Sequence, residues 1–387
     1  MKTSYSLILG GYVNGYSIIQ ELHSKGLKNI ALFDYGTSIS SKSNKINYYD
    51  SIDKTSESLK KNIFKLLEIC DYIVIFPTDD LQLENLHKIF NEIKDKCFVP
   101  FNYNNIISSL DKDIQYKFCE EFKIPYPKSI VIEKNGDLIK VEKMMFPVLI
   151  KPNKRKDATT EVFRSLFLNN VTDFENNKEK LLFFLSEGIV FLVSEFIPGD
   201  DTHIYSYVGY RNKDGKILNE WIGKKLNQYP DKFGVFSSGS NQAPKIIQEQ
   251  GAKLLNSMNL MGICQPEFKY DNRDGKYKLM EINLRSMMWN RVGNLLGVNI
   301  QYTQFLDATN QKNQKQSQKE DIKIHFVYLK HEVLNLIFRK KYWKFFKHNL
   351  LKADKVYFAV YNKNDLKPFL YNIINFCKTL IKRCLKL

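Results

Sequence analysis

At 387 residues, with 43% hydrophobic and 26% charged side chains, the chain has material for two or three globular domains, and its composition is not that of a disordered polypeptide. No run of about 18 apolar residues occurs, so no membrane span is expected, and the N-terminal "MKTSYSLILGGYVNG" lacks the apolar core and cleavage site of a signal peptide. The net charge of +16 is uneven: from Asp321 onward fifteen Lys/Arg face four Asp/Glu, a balance of +11.

The first hundred residues read β-α-β. "YSLILGG" is a buried strand, "GYSIIQELHSKG" a helix stopped by Gly26, and "NIALFDY" a second strand ending near Asp34. "CDYIVIFPTDD" and "QLENLHKIFNEIK" repeat the alternation, which implies a parallel sheet with helices on its faces. Gly10, Gly11 and Gly15 form GGxxxG, not GxGxxG. With Asp34 they imitate a dinucleotide fingerprint, although a tight strand-to-helix turn explains the same glycines. The six cysteines (Cys70, Cys97, Cys119, Cys264, Cys377, Cys384) form no CxxC pair, which argues against zinc and disulfide frameworks and fits a reducing cytoplasm.

After a break near "FVPFNYNNIISSLDKD", the helix "DKDIQYKFCEEFKI" is closed by Pro125 and Pro127. "FPVLIKPNKRKDATTEVF" is a strand leading into a polar loop, and "IVFLVSEFIPGDDTHIYSYVGY" is two strands about a Pro-Gly turn. "KILNEWIGKKLNQY" is a further strand carrying Lys224 and Lys225, and "APKIIQEQGAKLLNSMNL" is an amphipathic helix. "PEFKYDNRDGKYKLMEINLR" is a hairpin about Asp-Gly. Residues two apart on a strand share a face, so Glu281, Asn283 and Arg285 are expected to point the same way, with Glu267 alongside Glu281. Two carboxylates and an amide oxygen suit a hard cation such as magnesium. The polar run "NQKNQKQSQKED" marks an expected boundary. Beyond it, "HEVLNLIFRKKYWKFFKHNLLK" interleaves Trp343, Phe345 and Phe346 with basic residues, and "FCKTLIKRCLKL" repeats the mixture. Such segments either lie on an anionic membrane or pack on a core. No recognised nucleic-acid module accompanies them, so nucleic acid is the least favoured partner.

From about Leu110 to Ala308 the ordered signals Lys112, "IKP", "EFIPG", Lys225, an acid at Glu267 and, fourteen residues later, E-x-N-x-R resemble the ATP-grasp superfamily. The likeness within it is to carboxylate–amine ligases of the D-aspartate ligase and carbamoyl-phosphate synthase-like type. The resemblance implies an α/β fold: a Rossmann-like pre-ATP-grasp domain over 1–105, a two-subdomain ATP-grasp catalytic domain over 106–310 and a basic helical C-terminal segment over 311–387. It implies ATP and Mg2+ as cofactors. Lys112 and Lys151 resemble the residues that hold nucleotide phosphates. Glu195, with the backbone at Phe196 and Ile197, is similar to the hinge that reads adenine. Asp200, Asp201 or His203 falls at the ribose. Glu267, Glu281 and Asn283 match the metal ligands, while Lys225 and Arg285 match the catalytic cations. The departures are Leu284 where a proline is usual, Asn227 where a basic residue is usual, and a loop after Lys151 that is not glycine-rich.

The expected activity is ATP-dependent joining of a small-molecule carboxylate to an amine through an acyl phosphate, in cell-envelope or surface-polysaccharide chemistry. The expected location is cytoplasmic, peripheral at the inner membrane face. Two rivals stand beside it. An NAD(P)-dependent oxidoreductase rests on the glycine turn and leaves the E-x-N-x-R hairpin unexplained. A non-catalytic, membrane-associated ATP-binding protein would bind nucleotide without turnover.

Overall fold

The computed structural model describes residues 3–154, 157, 162–231 and 234–384. Two units emerge: one comprises Met1–Ile106, Asp200–Pro266 and Asn283–Leu387, the other Ile107–Gly199 and Glu267–Ile282.

The first unit opens with five parallel strands, β1 (Ser4–Leu9), β2 (Ile30–Asp34), β3 (Tyr48–Ser51), β4 (Tyr72–Phe76) and β5 (Cys97–Phe98), in the order β3-β2-β1-β4-β5. The nearly continuous apolar runs of β1, β2 and β4 are almost wholly buried, as a sheet covered on both faces requires. The glycine turn answers to packing. A Cβ on Gly15 would lie 2.1 Å from the Gly10 carbonyl oxygen, and one on Gly11 would lie 2.0 Å from Ser38 Oγ and 2.2 Å from Asp34 Oδ2. Asp34 is buried and its Oδ1 accepts from Tyr35 N. These residues serve the tight turn, which removes the need for a dinucleotide to explain them.

The second unit holds the antiparallel strands β6 (Ser129–Ile132), β7 (Val148–Pro152), β8 (Leu166–Leu168) and β9 (Phe191–Glu195), in the order β6-β9-β7-β8. Val148, Ile150 and Val193 face the helix Val171–Ser186, where Phe174, Leu181 and Phe184 complete an apolar core.

The first unit then resumes with β10 (Ile204–Arg211), β11 (Ile217–Tyr229) and β12 (Val235–Ser240), an antiparallel series. The hairpin strands β13 (Gly262–Asp271) and β14 (Lys276–Asn283) follow, their residues Glu267–Ile282 belonging to the second unit. Two further strands, β15 (Ile324–Val327) and β16 (Lys355–Phe358), extend the series as β10-β11-β12-β15-β16. The segment expected to be helical therefore also supplies two strands. Trp221 and Trp289 meet edge to edge at the centre of this unit's core.

The run "NQKNQKQSQKED" is pinned in place through its amides. Gln318 accepts from Ile222 N and donates to the carbonyls of Ile222 and Asn241, while Gln316 Oε1 accepts from Asn299 N. A polar composition here satisfies neighbouring backbone groups that apolar side chains could not. The tail is fastened in the same way. Buried Glu332 accepts from Ser237 Oγ, Tyr342 OH and Asn349 Nδ2. Buried Asp365 accepts from Tyr16 OH, Ser43 Oγ, Gln20 Nε2 and Asn44 N, more than 300 residues away in sequence. Among the described residues no helix is long and apolar enough to cross a membrane.

Asp365→Ala strands those donors in the interior, so it is expected to lower unfolding stability by about 2–4 kcal/mol. Asp365→Asn, which keeps an acceptor oxygen, loses less. Chemical denaturation of the three proteins side by side checks the order.

Candidate active site

In the second unit, strand alternation sorts the site residues onto two faces. Val148 pairs with Glu195 and Ile150 with Val193, whereas Lys151 pairs with Leu192. Lys151 thus lies on the face opposite the apolar core and opposite the Glu195 side chain. Lys112 opens the helix Lys112–Glu121 and donates to Glu281 Oε2 at 2.9 Å and to the Met280 carbonyl at 3.2 Å. The two lysines act on one another. The Lys112 ammonium, reinforced by burial, pushes the Lys151 amine down to about 7, against the pull of Glu281. Burial opposes the charge on Lys112 too, but Glu281 outweighs it with help from Glu267, and Lys112 holds its proton above the usual lysine range. Both hairpin carboxylates are therefore felt at one ammonium. The pair of lysines is a site short of negative charge, which an anion would offset.

Glu195 is buried and fully engaged. Its Oε1 accepts from Lys128 N and Lys278 Nζ, each at 3.1 Å, and its Oε2 from Arg273 Nη2 at 3.1 Å. Lys278 and Arg273 also grip Asp271, which is wholly buried, and Arg273 above all holds its carboxyl well below the usual range. Sequence reasoning read "DNRDGK" only as a charged turn and missed this ion cluster, which Asp274 joins at 3.2 Å from Lys278 Nζ. Its one signal was the alternation of opposite charges across Asp271, Arg273 and Lys278. At the hinge, Phe196 N already donates to the Pro147 carbonyl, Lys269 Nζ lies 4.8 Å over the Phe196 ring, and the Ile197 side chain is buried.

In the first unit, Asp200 caps the short turn Asp201–His203, accepting from Thr202 N. Asp201 is buried and accepts from Gln228 N at 3.1 Å, with burial raising its carboxyl. His203 Nδ1 lies 3.2 Å from Asp200 Oδ1 and its ring keeps about a third of its exposure. Lys225 is buried on β11, opposite Gly239 of β12, while Lys224 of the other face lies over Tyr205. Asn283 ends β14, and its Nδ2 is buried without a hydrogen-bond partner. Arg285 stands two residues beyond the strand, but the alternation of burial continues through Leu284 and Ser286, keeping Arg285 on the more open side. Its Nε donates to Asp80 Oδ1 at 2.6 Å.

Among the described residues no group of three or more His, Cys, Asp and Glu is arranged to hold a metal. Magnesium bound with a phosphate needs only one or two carboxylates plus water. Glu267 and Glu281, converging where a lysine ammonium now sits, fit that demand, and the orphaned Asn283 amide marks a polar group without its complement. Of the loop after Lys151, residues 155, 156 and 158–161 lie outside the described residues.

No family model matches the chain. It is 28% identical over 217 residues to a D-aspartate ligase of Enterococcus faecium (strain Aus0004), a match covering 53% of this chain and 50% of that protein. The chain thus spans about half the length of the curated relative it matches. Among solved structures it is similar to an N5-carboxyaminoimidazole ribonucleotide synthetase in its ADP complex, with a TM-score of 0.66 and 12% identity over 87% of this chain and 84% of that one. It is also similar to an L-amino acid ligase from Bacillus licheniformis, with a TM-score of 0.59 and 12% identity over 81% and 76% of the two chains. The chain thus shares the fold of these synthetase and ligase structures, and over about half of its length its sequence is similar to that of a D-aspartate ligase.

Proposed function

We propose that the chain is an ATP-dependent carboxylate–amine ligase that forms an amide or peptide bond through an acyl phosphate. The observation that carries this reading is the crowded Lys112–Lys151 pair beside two acidic hairpin side chains. Lys112 and Lys151 take the nucleotide phosphates. As phosphate draws Lys112 away, Glu281 is released to hold Mg2+ with Glu267 and Asn283. Bound there, magnesium would neutralise charge on the outer phosphates. Because the Glu195 carboxylate is committed to Lys278 and Arg273, and Phe196 N to Pro147, adenine is read by the Phe196 carbonyl and the backbone at Ile197. Asp200, Asp201 or His203 meets the ribose.

In the first step a carboxylate oxygen of the substrate attacks the γ-phosphorus. The bond from that phosphorus to the bridging oxygen breaks, and ADP leaves with the electron pair. Arg285, exchanging Asp80 for the transferring group, and Lys225 balance the charge that spreads over the phosphoryl oxygens. In the second step the amine lone pair attacks the acyl carbon, the carbon–oxygen bond to phosphate breaks, and the amine proton is lost to solvent. Substrates from cell-envelope or surface-polysaccharide precursors, met at the inner face of a membrane, complete the reading.

The direct test is isotopic. With an ¹⁸O-labelled carboxylate, one label appears in released phosphate. Label confined to the amide product and residual acid rules out the acyl phosphate.

Glu281→Gln should still fold, melting somewhat below the parent because it no longer offsets the Lys112–Lys151 repulsion, and should lose ADP release by about 10²-fold or more, because a neutral group then replaces one of the two carboxylate charges on magnesium. Turnover at the parental rate would remove Glu281 from the metal site.

Proton uptake offers an independent check. The free Lys151 amine titrates at about 7. Phosphate beside it raises that value, so the bound state holds more protons at any pH above it. Nucleotide binding at about pH 8 should therefore take up close to one proton, and at about pH 6, where the amine is already charged, almost none. Calorimetry in two buffers of different ionisation enthalpy reads the number directly. Lys112→Gln, which leaves Lys151 charged beforehand, should erase most of the uptake. An uptake independent of pH would contradict the lysine pair.

A further inference from the structure

The basic tail plays no part in the chemistry above, and its last helix has an unusual surface. Along Leu366–Cys384, the residues Leu366, Leu370, Ile373, Ile374 and Ile381 are each between 40% and 57% exposed, and Cys377 is exposed with them. At 3.6 residues per turn these six positions fall within an arc of about 100°, a complete apolar stripe. Such a stripe ordinarily faces a core. Here the core-facing side is a different one: Phe369 and Tyr371 pack on the first unit's apolar cluster, Asn372 is buried with its amide oxygen accepting from Tyr328 OH, and Asp365 anchors the helix start. The bare stripe is bordered by the exposed ammonium groups of Lys367 and Lys378, within a segment whose balance is +11 from Asp321 onward.

We infer that the helix Leu366–Cys384 is an interfacial anchor: it lies in the plane of an anionic lipid membrane, with the Leu366–Ile381 stripe buried among the acyl chains and its flanking lysines on the headgroups. It rests on the peripheral location included in the reading above and is independent of the ligase steps. Charge selects the occupant. A second copy of this chain would bring an equally basic tail against the first, and the like charges would repel. An anionic bilayer accepts both the apolar stripe and the lysines. The helix is too polar to cross the bilayer, which leaves it lying on the surface.

The test uses the full chain in vesicle flotation, with ADP release measured on the same samples. The wild type should float with phosphatidylglycerol–phosphatidylcholine vesicles, stay down with phosphatidylcholine alone and release the anionic vesicles at high salt. Leu370→Gln with Ile374→Gln, and separately Lys367→Glu with Lys378→Glu, should each weaken binding by about tenfold or more while melting as the parent does. If the wild type floats and the stripe variant floats equally well, the anchor is overturned and the peripheral location stands. If the wild type never floats, the location falls as well. A lipid-free dimer that the stripe variant dissociates, without vesicle binding, assigns the stripe to a second copy and overturns the proposal. ADP release reports on the ligase reading alone and is expected to be unchanged in both double variants.

Discussion

The contact on which the proposed site depends is the approach of two ammonium groups, Lys112 and Lys151, where water cannot screen them well. Like charges so placed are a cost to the folded state, and here the cost falls on Lys151, whose amine is driven to about 7. Glu281 offsets part of it by pairing with Lys112 at 2.9 Å. The arrangement is strained in a useful direction. In the proposed reading, an anion that enters gains from both lysines and frees the carboxylate of Glu281. The phosphate site and the cation site proposed here would then be two settings of the same three side chains.

Holding those side chains in register is the work of the second unit's ion cluster. Asp271, Arg273 and Lys278 sit around the turn of the hairpin that carries Glu267 and Glu281, and they close on Glu195 at the end of β9. Buried ion pairs seldom add net stability, since desolvation offsets most of their attraction. Their value lies in direction: each oxygen of Glu195 has a fixed partner, so the hairpin cannot slide along β9 without stranding a charge. The cluster lies on the helix side of the sheet, and Lys151 on the other. One face of four short strands is given to rigidity, which leaves the other for the proposed chemistry.

Much of this was legible. The parallel sheet followed from the alternation of apolar strands and helices over the first hundred residues, and the order of Lys112, Lys151, Glu267 and Glu281 suggested phosphate and metal through its resemblance to the ATP-grasp pattern. The commitment of Glu195 was not legible. Period-two alternation gives the faces within one strand, but whether Glu195 shares a face with Lys151 depends on the register between β7 and β9, a long-range pairing that composition does not encode. The run from Asn310 to Asp321 misled for a related reason. Gln316 and Gln318 look like solvated linker residues until the backbone groups of Ile222, Asn241 and Asn299 are placed beside them. The short strands β15 and β16 were masked by the lysines around them, whose charge speaks of the surface and hides the pairing beneath.

The tail inverts the usual economy of a surface segment. Two of its four carboxylates are turned inward: Glu332 and Asp365 are 0% and 2% exposed, Glu332 held by Ser237, Tyr342 and Asn349 and Asp365 by donors more than 300 residues away in sequence. Leucines and isoleucines, ordinarily turned inward, are left in water along the last helix. A chain that hides its acids and shows its apolar groups raises the positive potential of one surface and makes that same surface greasy. The like charges keep copies of the chain apart while the bare stripe works against dispersal in water, and together they match the lipid headgroup layer proposed above. Asp365 also fixes the base of the helix to the rest of the first unit, so that a contact made by the stripe is transmitted to that unit instead of to a loose end.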